Sequence, residues 1–176
     1  MNQLIPAWVD GELRPVEKLS VHRRGLKHKA VSVFVLDGDR VLVQRRAMSK
    51  YHTPGLWANT CCTHPKWGES SPDCAVRRLK EELGITDFYP ALRGTVEYRA
   101  DVGGGMIEHE VVDLFAGQAP GDLRIDPNPD EVMETAWMGI YDLMAEVVRH
   151  PRRYTPWIRV YLADYADSIF GQIKRD

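Results

Sequence analysis

Apolar residues cluster in short β-branched runs through the first third of the chain. Residues 30–36 form one run, Asp37-Gly38-Asp39 is a turn signal, and residues 41–43 form a second run. This pattern predicts a β-hairpin, closed by Arg45 and Arg46. Residues 5–13 read as a short strand with a turn at Asp10-Gly11. Between these lies a basic segment with Lys18, His22, Arg23, Arg24, Lys27, His28 and Lys29, which reads as a solvated surface stretch with two histidines in reserve as ligands. Residues 48–57 show no period and carry Pro54-Gly55, so they read as loop.

The period becomes helical at 72–83. Ser71 reads as the N-cap, Pro72 as the first helical residue, and Gly84 as the C-cap. Ala75, Val76, Leu79 and Leu83 make the buried stripe. Residues 95–100 read as a strand, Gly103-Gly104-Gly105 as a turn, and 107–116 as the returning strand. Alternation on that strand puts Glu108 and Glu110 on one face and His109 on the other. A loop at 120–130, a strand at 131–138 and helices at 140–149 and 156–169 complete the pattern. Meandering strands with inserted helices predict an α/β (α+β) class: one domain, 1–176, with a mixed β-sheet sandwiched between helices.

Composition narrows the setting. Hydrophobic residues make up 44% and the net charge is -2, an ordinary globular balance that gives no case for a nucleic-acid partner. Cys61, Cys62 and Cys74 are an odd number in a chain whose start lacks a secretory pattern, so a reducing compartment, the cytoplasm, is expected. No apolar run is long enough for a bilayer, and a monomer without membrane contact is the expectation.

The helix carries an anomaly. Arg77 and Glu81, and Arg78 and Glu82, stand at i,i+4 with the cation first, the weaker order. Both carboxylates lie in the last turn, where the helix dipole disfavours them. Surface ion pairing is one reading. A bound divalent cation with a phosphate held near the arginine is the other.

Residues 63–85 are similar to the Nudix box. Glu69, Arg77, Leu79, Glu81, Glu82, Gly84 and Ile85 fall in register, while Thr63 replaces the opening Gly and Arg78 replaces the Glu after the Arg. The replaced Glu helps to bind catalytic metals in Nudix hydrolases, so Arg78 suits an enzyme that grips a diphosphate without cutting it. Further segments narrow the likeness: Arg45 to Lys50, Pro54 to Trp57, Asn59 to Pro65, Glu97 to Ala100, Glu108 to Val111 and Thr155 to Trp157 resemble the type I isopentenyl-diphosphate isomerase family. The resemblance implies a Nudix-type fold with an N-terminal extension and C-terminal helices.

It also implies an activity: interconversion of isopentenyl and dimethylallyl diphosphate, a prenyl diphosphate substrate, by adding one proton to an alkene and removing another. That chemistry needs an acid, a base, an aromatic wall for a carbocation and exclusion of water. By resemblance Cys62 and Glu110 are the proton-transfer groups, Tyr98 stands beside Glu110, and Trp157 is the cation–π wall. Cys61 and Cys74 keep the ordinary role of small buried hydrophobes. His22, His28, His64, Glu108 and Glu110 form a set suited to Mn²⁺ or Zn²⁺. The His22–His28 interval is one residue shorter than the resemblance implies, so His22 is the member whose placement matters most. Glu82 and the Cys62 main-chain carbonyl are expected to hold Mg²⁺ shared with the diphosphate, and Lys18, Arg46, Lys50 and Arg78 to clamp it. A Nudix hydrolase and a degenerate binding module remain the alternatives at this point.

Overall fold

In the computed structural model, described over residues 3–171, nine strands form a single sheet. Its centre is β3 (Lys27–Asp37), the longest apolar run, buried from Ala30 to Leu36. β3 turns into β4 (Arg40–Arg46), as the predicted hairpin requires. It also pairs antiparallel with β6 (Cys61–Thr63) and parallel with β8 (Met106–Gln118). β7 (Ala91–Gly103) lies antiparallel on β8, and β9 (Val132–Gly139) and β5 (Trp57–Ala58) lie on β4.

The N-terminal strand is a hairpin. β1 (Leu4–Val9) and β2 (Glu12–Glu17) pair across the expected Asp10-Gly11 turn, and β1 touches β3 at Ala7–His28. The basic segment is not a surface stretch, which corrects the first expectation. Residues Lys18–Arg24 form helix α1, and Lys27 already belongs to β3. The Glu17 side chain accepts from the Leu19 and Ser20 amides, and left-handed Gly25 ends the helix. Val21 and His22 face inward and Lys18 is partly buried, while Arg23 and Arg24 point outward, so charge concealed a one-sided helix.

Each face of the sheet carries its own core, because side chains alternate along β3. Val31, Val33 and Val35 pack with Cys61, Phe115 and helix α2 (Ser71–Leu83). Ala30 and Phe34 pack with Val112, Leu114 and helices α3 (Ile140–Arg149) and α4 (Pro156–Asp164). The layered mixed sheet matches the expected α+β class. Three local details differ. The cap of α2 is Ser70, whose hydroxyl accepts from the Asp73 amide, so Pro72 sits one position further in. The buried stripe takes Cys74 and excludes Val76, which is only half-buried. The expected last helix breaks at Tyr165 into α4 and α5 (Ala166–Phe170).

Gly84 ends α2 at φ +64°, and a Cβ there would meet the Asp126 carbonyl oxygen at 2.8 Å. The Asp126 amide donates to the Leu83 carbonyl, so loop and helix end are locked together. Gly84→Ala is therefore expected to lower stability by at least about 1–2 kcal/mol. A urea midpoint unchanged from the parent would contradict this. Among the described residues, no helix is long and apolar enough to cross a membrane.

Candidate active site

Sheet register brings the chemistry to one face. His28 pairs with Glu110, Glu110 with Tyr98, Glu108 with Ala100, and Ser32 with Cys62. Partners in register share a face, so His28, Ser32, Cys62, Tyr98, Glu108 and Glu110 lie on the α4 side. The same alternation sends Cys61 into the α2 core beside Cys74. It also sends His109 outward, where its ring lies 2.9 Å from Glu97. Strand periodicity thus separates two adjacent cysteines into a buried core thiol and a half-buried pocket thiol.

Four imidazoles surround Glu108. His22 reaches it from α1, His28 from β3, His64 from the turn after β6, and His52 from the loop after β4. Their Nε2 atoms lie 3.2 and 3.4 Å from Oε2 for His22 and His28, and 2.8 Å from Oε1 for His52. His64 Nε2 lies 2.9 Å from Glu110 Oε1 and 3.2 Å from His28 Nε2. His22 Nδ1 donates to the Lys18 carbonyl at 2.6 Å, and His28 Nδ1 to the Leu26 carbonyl at 2.8 Å. Those bonds fix the tautomers and leave both Nε2 atoms as donors of a lone pair. Lone pairs then face the Glu108 carboxylate, whose buried Oε2 has no hydrogen-bond donor among the described residues.

Such a set needs positive charge between its members. His22, His28, His64 and Glu108 bring one ligand atom each within 4.8 Å of one another. Imidazole nitrogens and a carboxylate fit a borderline divalent cation. The shortened His22–His28 interval does not displace His22, because α1 turns it inward and Gly25 brings the chain straight back into β3. Without an ion, His28 is the imidazole that holds a compensating proton. Burial alone would depress His28, but the Glu108 and Glu110 carboxylates raise it to about 10. Burial would raise Glu108, yet the surrounding imidazoles of His22, His28, His52 and His64 hold it well below the carboxylate range. Burial drives His64 well down, with Lys18 adding to the effect.

Beside this cluster is a pocket lined by Cys62, Glu110, Trp157 and the cations Lys18, Arg46, Lys50 and Arg78. All four expected clamp residues are therefore in one place. Burial and the neighbouring Lys50 and Arg78 lower Lys18 to about 8. A register shift between Arg45 and Arg46 bends β4 where Arg46 enters the pocket, and its guanidinium lies 5.2 Å from the Trp157 ring centre. The Thr155 amide donates to the Trp57 carbonyl, which anchors the start of α4 and so the buried Trp157. Burial, then Glu110, pushes the Cys62 thiol well up. Burial, then Glu108, raises Glu110 to about 7, and the Tyr98 hydroxyl donates to its Oε2 at 2.7 Å.

Glu82 stands apart from the imidazole cluster. Its Oε1 accepts from Arg78 at 2.5 Å and its Oε2 from Gln44 at 2.8 Å. Arg78 also reaches Glu81 at 2.9 Å and Glu131 at 3.4 Å. Several site residues had no signal in the sequence. His52 and Tyr51 lie in the aperiodic loop, and Glu131, which pairs with Lys50, opens the region read as a plain strand. Ser32 and Tyr161 are hydrogen-bonded at 2.9 Å beneath the Cys62 face, inside runs that read only as core.

Residues 26–158 match the NUDIX domain family. A curated isopentenyl-diphosphate Delta-isomerase of Dinoroseobacter shibae is 65% identical over 98% of each chain. One of Cereibacter sphaeroides is 63% identical over 99% of this chain and 98% of its own. Among solved structures, a MutT protein from Methanosarcina mazei Go1 aligns with a TM-score of 0.61 at 17% identity, covering 78% of this chain and 91% of its own, a likeness of fold alone.

Proposed function

Because this chain belongs to the NUDIX family, and within it to the isopentenyl-diphosphate Delta-isomerases, we propose that its pocket interconverts isopentenyl and dimethylallyl diphosphate. The observation that carries the reading is the near full-length identity of 65% to a curated isomerase. The pocket supports it, with a thiol, a carboxyl and a buried indole beside four cations. The reaction adds a proton to the terminal methylene, leaves positive charge at the tertiary carbon, and removes a proton from the adjoining methylene. Cys62 and Glu110 are the groups available to deliver and take those protons, and Tyr98 holds Glu110 in place. The Trp157 face offers its quadrupole to the positive carbon. Lys18, Arg46, Lys50 and Arg78 grip the diphosphate.

His22, His28, His64, Glu108 and Glu110 are the residues that would hold a Mn²⁺ or Zn²⁺ ion. Such an ion supplies Lewis acidity and fixed positive charge beside the carboxyl groups. Glu82 and the Cys62 carbonyl are the proposed protein ligands of Mg²⁺ bound with the diphosphate. Glu82 would have to exchange its Arg78 contact for that role, which gives Arg78 to the phosphate at the same step. We further read the protein as a cytoplasmic monomer acting on this small molecule without nucleic acid or membrane.

The activity is tested by incubation with isopentenyl diphosphate and Mg²⁺. An allylic diphosphate, labile to acid, is the expected product, and its absence would refute the assignment. Lys18 gives a separate check. Its value of about 8 in the folded protein lies below the ordinary 10.5. The folded protein thus holds fewer protons than the unfolded chain between those values, and the associated stability penalty fades as pH rises through that window. A bound diphosphate favours the ammonium. Binding of inorganic pyrophosphate at about pH 8.5 is therefore expected to take up more protons, or release fewer, in the parent than in Lys18→Met. Calorimetry in buffers of different ionisation enthalpy measures the difference, and the same buffer dependence in parent and variant would contradict it.

A further inference from the structure

His52 is absent from the expected ligand set, yet its contacts reach three parts of the site. Its Nε2 lies 2.8 Å from Glu108 Oε1, the oxygen turned away from the other imidazoles. His22 and His28 face Oε2 instead, and the group of close ligand atoms does not include His52. On its other side, Nδ1 lies 3.2 Å from the Thr53 hydroxyl and 3.5 Å from Arg46 Nη2. A guanidinium nitrogen only donates, so Nδ1 is an acceptor and Nε2 carries the proton. Nε2–H therefore donates to Glu108 Oε1. The Arg46 guanidinium also donates to the His52 carbonyl at 3.2 Å. The imidazole stands edge-on to Trp157, with ring centres 5.9 Å apart at 78°.

We propose that His52 is a positioning residue that clamps Glu108 Oε1 so that Oε2 is presented to the His22–His28–His64 cluster, and that ties this carboxylate to Arg46 and Trp157. It rests on reading the cluster as a cation site. Ligating carboxylates are oriented by hydrogen bonds to their second oxygen, and loss of such a bond weakens metal affinity by about 10–100-fold. His52 is mostly buried at 6% exposure, which keeps water from replacing it. The backbone at Thr53, the next residue, has φ +48°, an uncommon value for a β-branched residue.

The test is Co²⁺ titration of the full chain, read by visible absorption against a competing chelator. His52→Leu fills the space against Trp157 without a donor and is expected to bind Co²⁺ about 10–100-fold more weakly than the parent. His52→Gln places an amide N–H near the lost Nε2–H and is expected to stay within about threefold of the parent. Equal affinity in the two variants overturns the proposal, and so does a loss of tenfold or more in His52→Gln. A parent that binds no Co²⁺ at micromolar concentration refutes the cation site itself, whereas a binding parent with unaffected variants refutes only the role of His52.

Discussion

Replacing Cys62 by alanine is expected to lower isomerase turnover by about 10²–10⁴-fold, the usual contribution of a positioned proton-transfer group. The residue faces the pocket, while burial and Glu110 keep its sulfur in the thiol form. A thiol is then present to give a proton, and the nearby carboxyl to exchange one. The fold should survive, because Cys62 is the half-buried cysteine and the pocket already opens beside it. Cys61→Ser makes the contrasting case. Cys61 is fully buried among Val31, Val33 and Leu79, so a hydroxyl there costs roughly 1–3 kcal/mol of stability. Its turnover per folded molecule should match the parent, and Cys74→Ser should behave likewise. Steady-state rates measured together with urea midpoints separate the two cysteines. Unchanged turnover in Cys62→Ala would remove the thiol from the reaction.

Glu110→Gln is expected to lose turnover on the same scale, about 10²–10⁴-fold, with little change in shape. The amide oxygen still accepts from Tyr98, but the exchangeable carboxyl proton is gone. Stability should move the other way in the ion-free protein. Burial and Glu108 raise the Glu110 carboxyl from 4.5 to about 7. The folded state therefore holds the proton more tightly than the unfolded chain. The resulting penalty is fully present above the folded value and disappears as pH falls below the unfolded one. Ion-free Glu110→Gln should thus be at least as stable as the parent at about pH 8, with the gap closing towards about pH 4. A variant that is inactive and also markedly less stable at the higher pH would point to a structural role for Glu110.

Much of the fold follows from simple periodicity. The apolar run at the centre of β3, the hairpin into β4, and Glu108 and Glu110 on one face all follow from alternation. So does the division of Cys61 from Cys62, once β6 is known to pair with β3. The failures have physical causes. Five cations over 18–29 masked α1 and the start of β3, because only Val21 and His22 of that helix are buried. Ser70 and Ser71 are equivalent as caps by composition, and only the bond to the Asp73 amide distinguishes them. His52 sits in a loop without period, so nothing local pointed to Glu108 across the site. The residues of the site could be named through family resemblance. Their distances depend on sheet register and loop conformation, which pattern alone does not specify.

The central claim is that this chain moves a double bond and leaves the diphosphate whole. One NMR measurement tests it directly: the protein with isopentenyl diphosphate and Mg²⁺ in D₂O, followed by ¹H and ³¹P spectra. Dimethylallyl diphosphate with deuterium in a methyl group and unbroken diphosphate resonances is the expected result. Release of inorganic phosphate or a monophosphate, or an unchanged substrate, would contradict it.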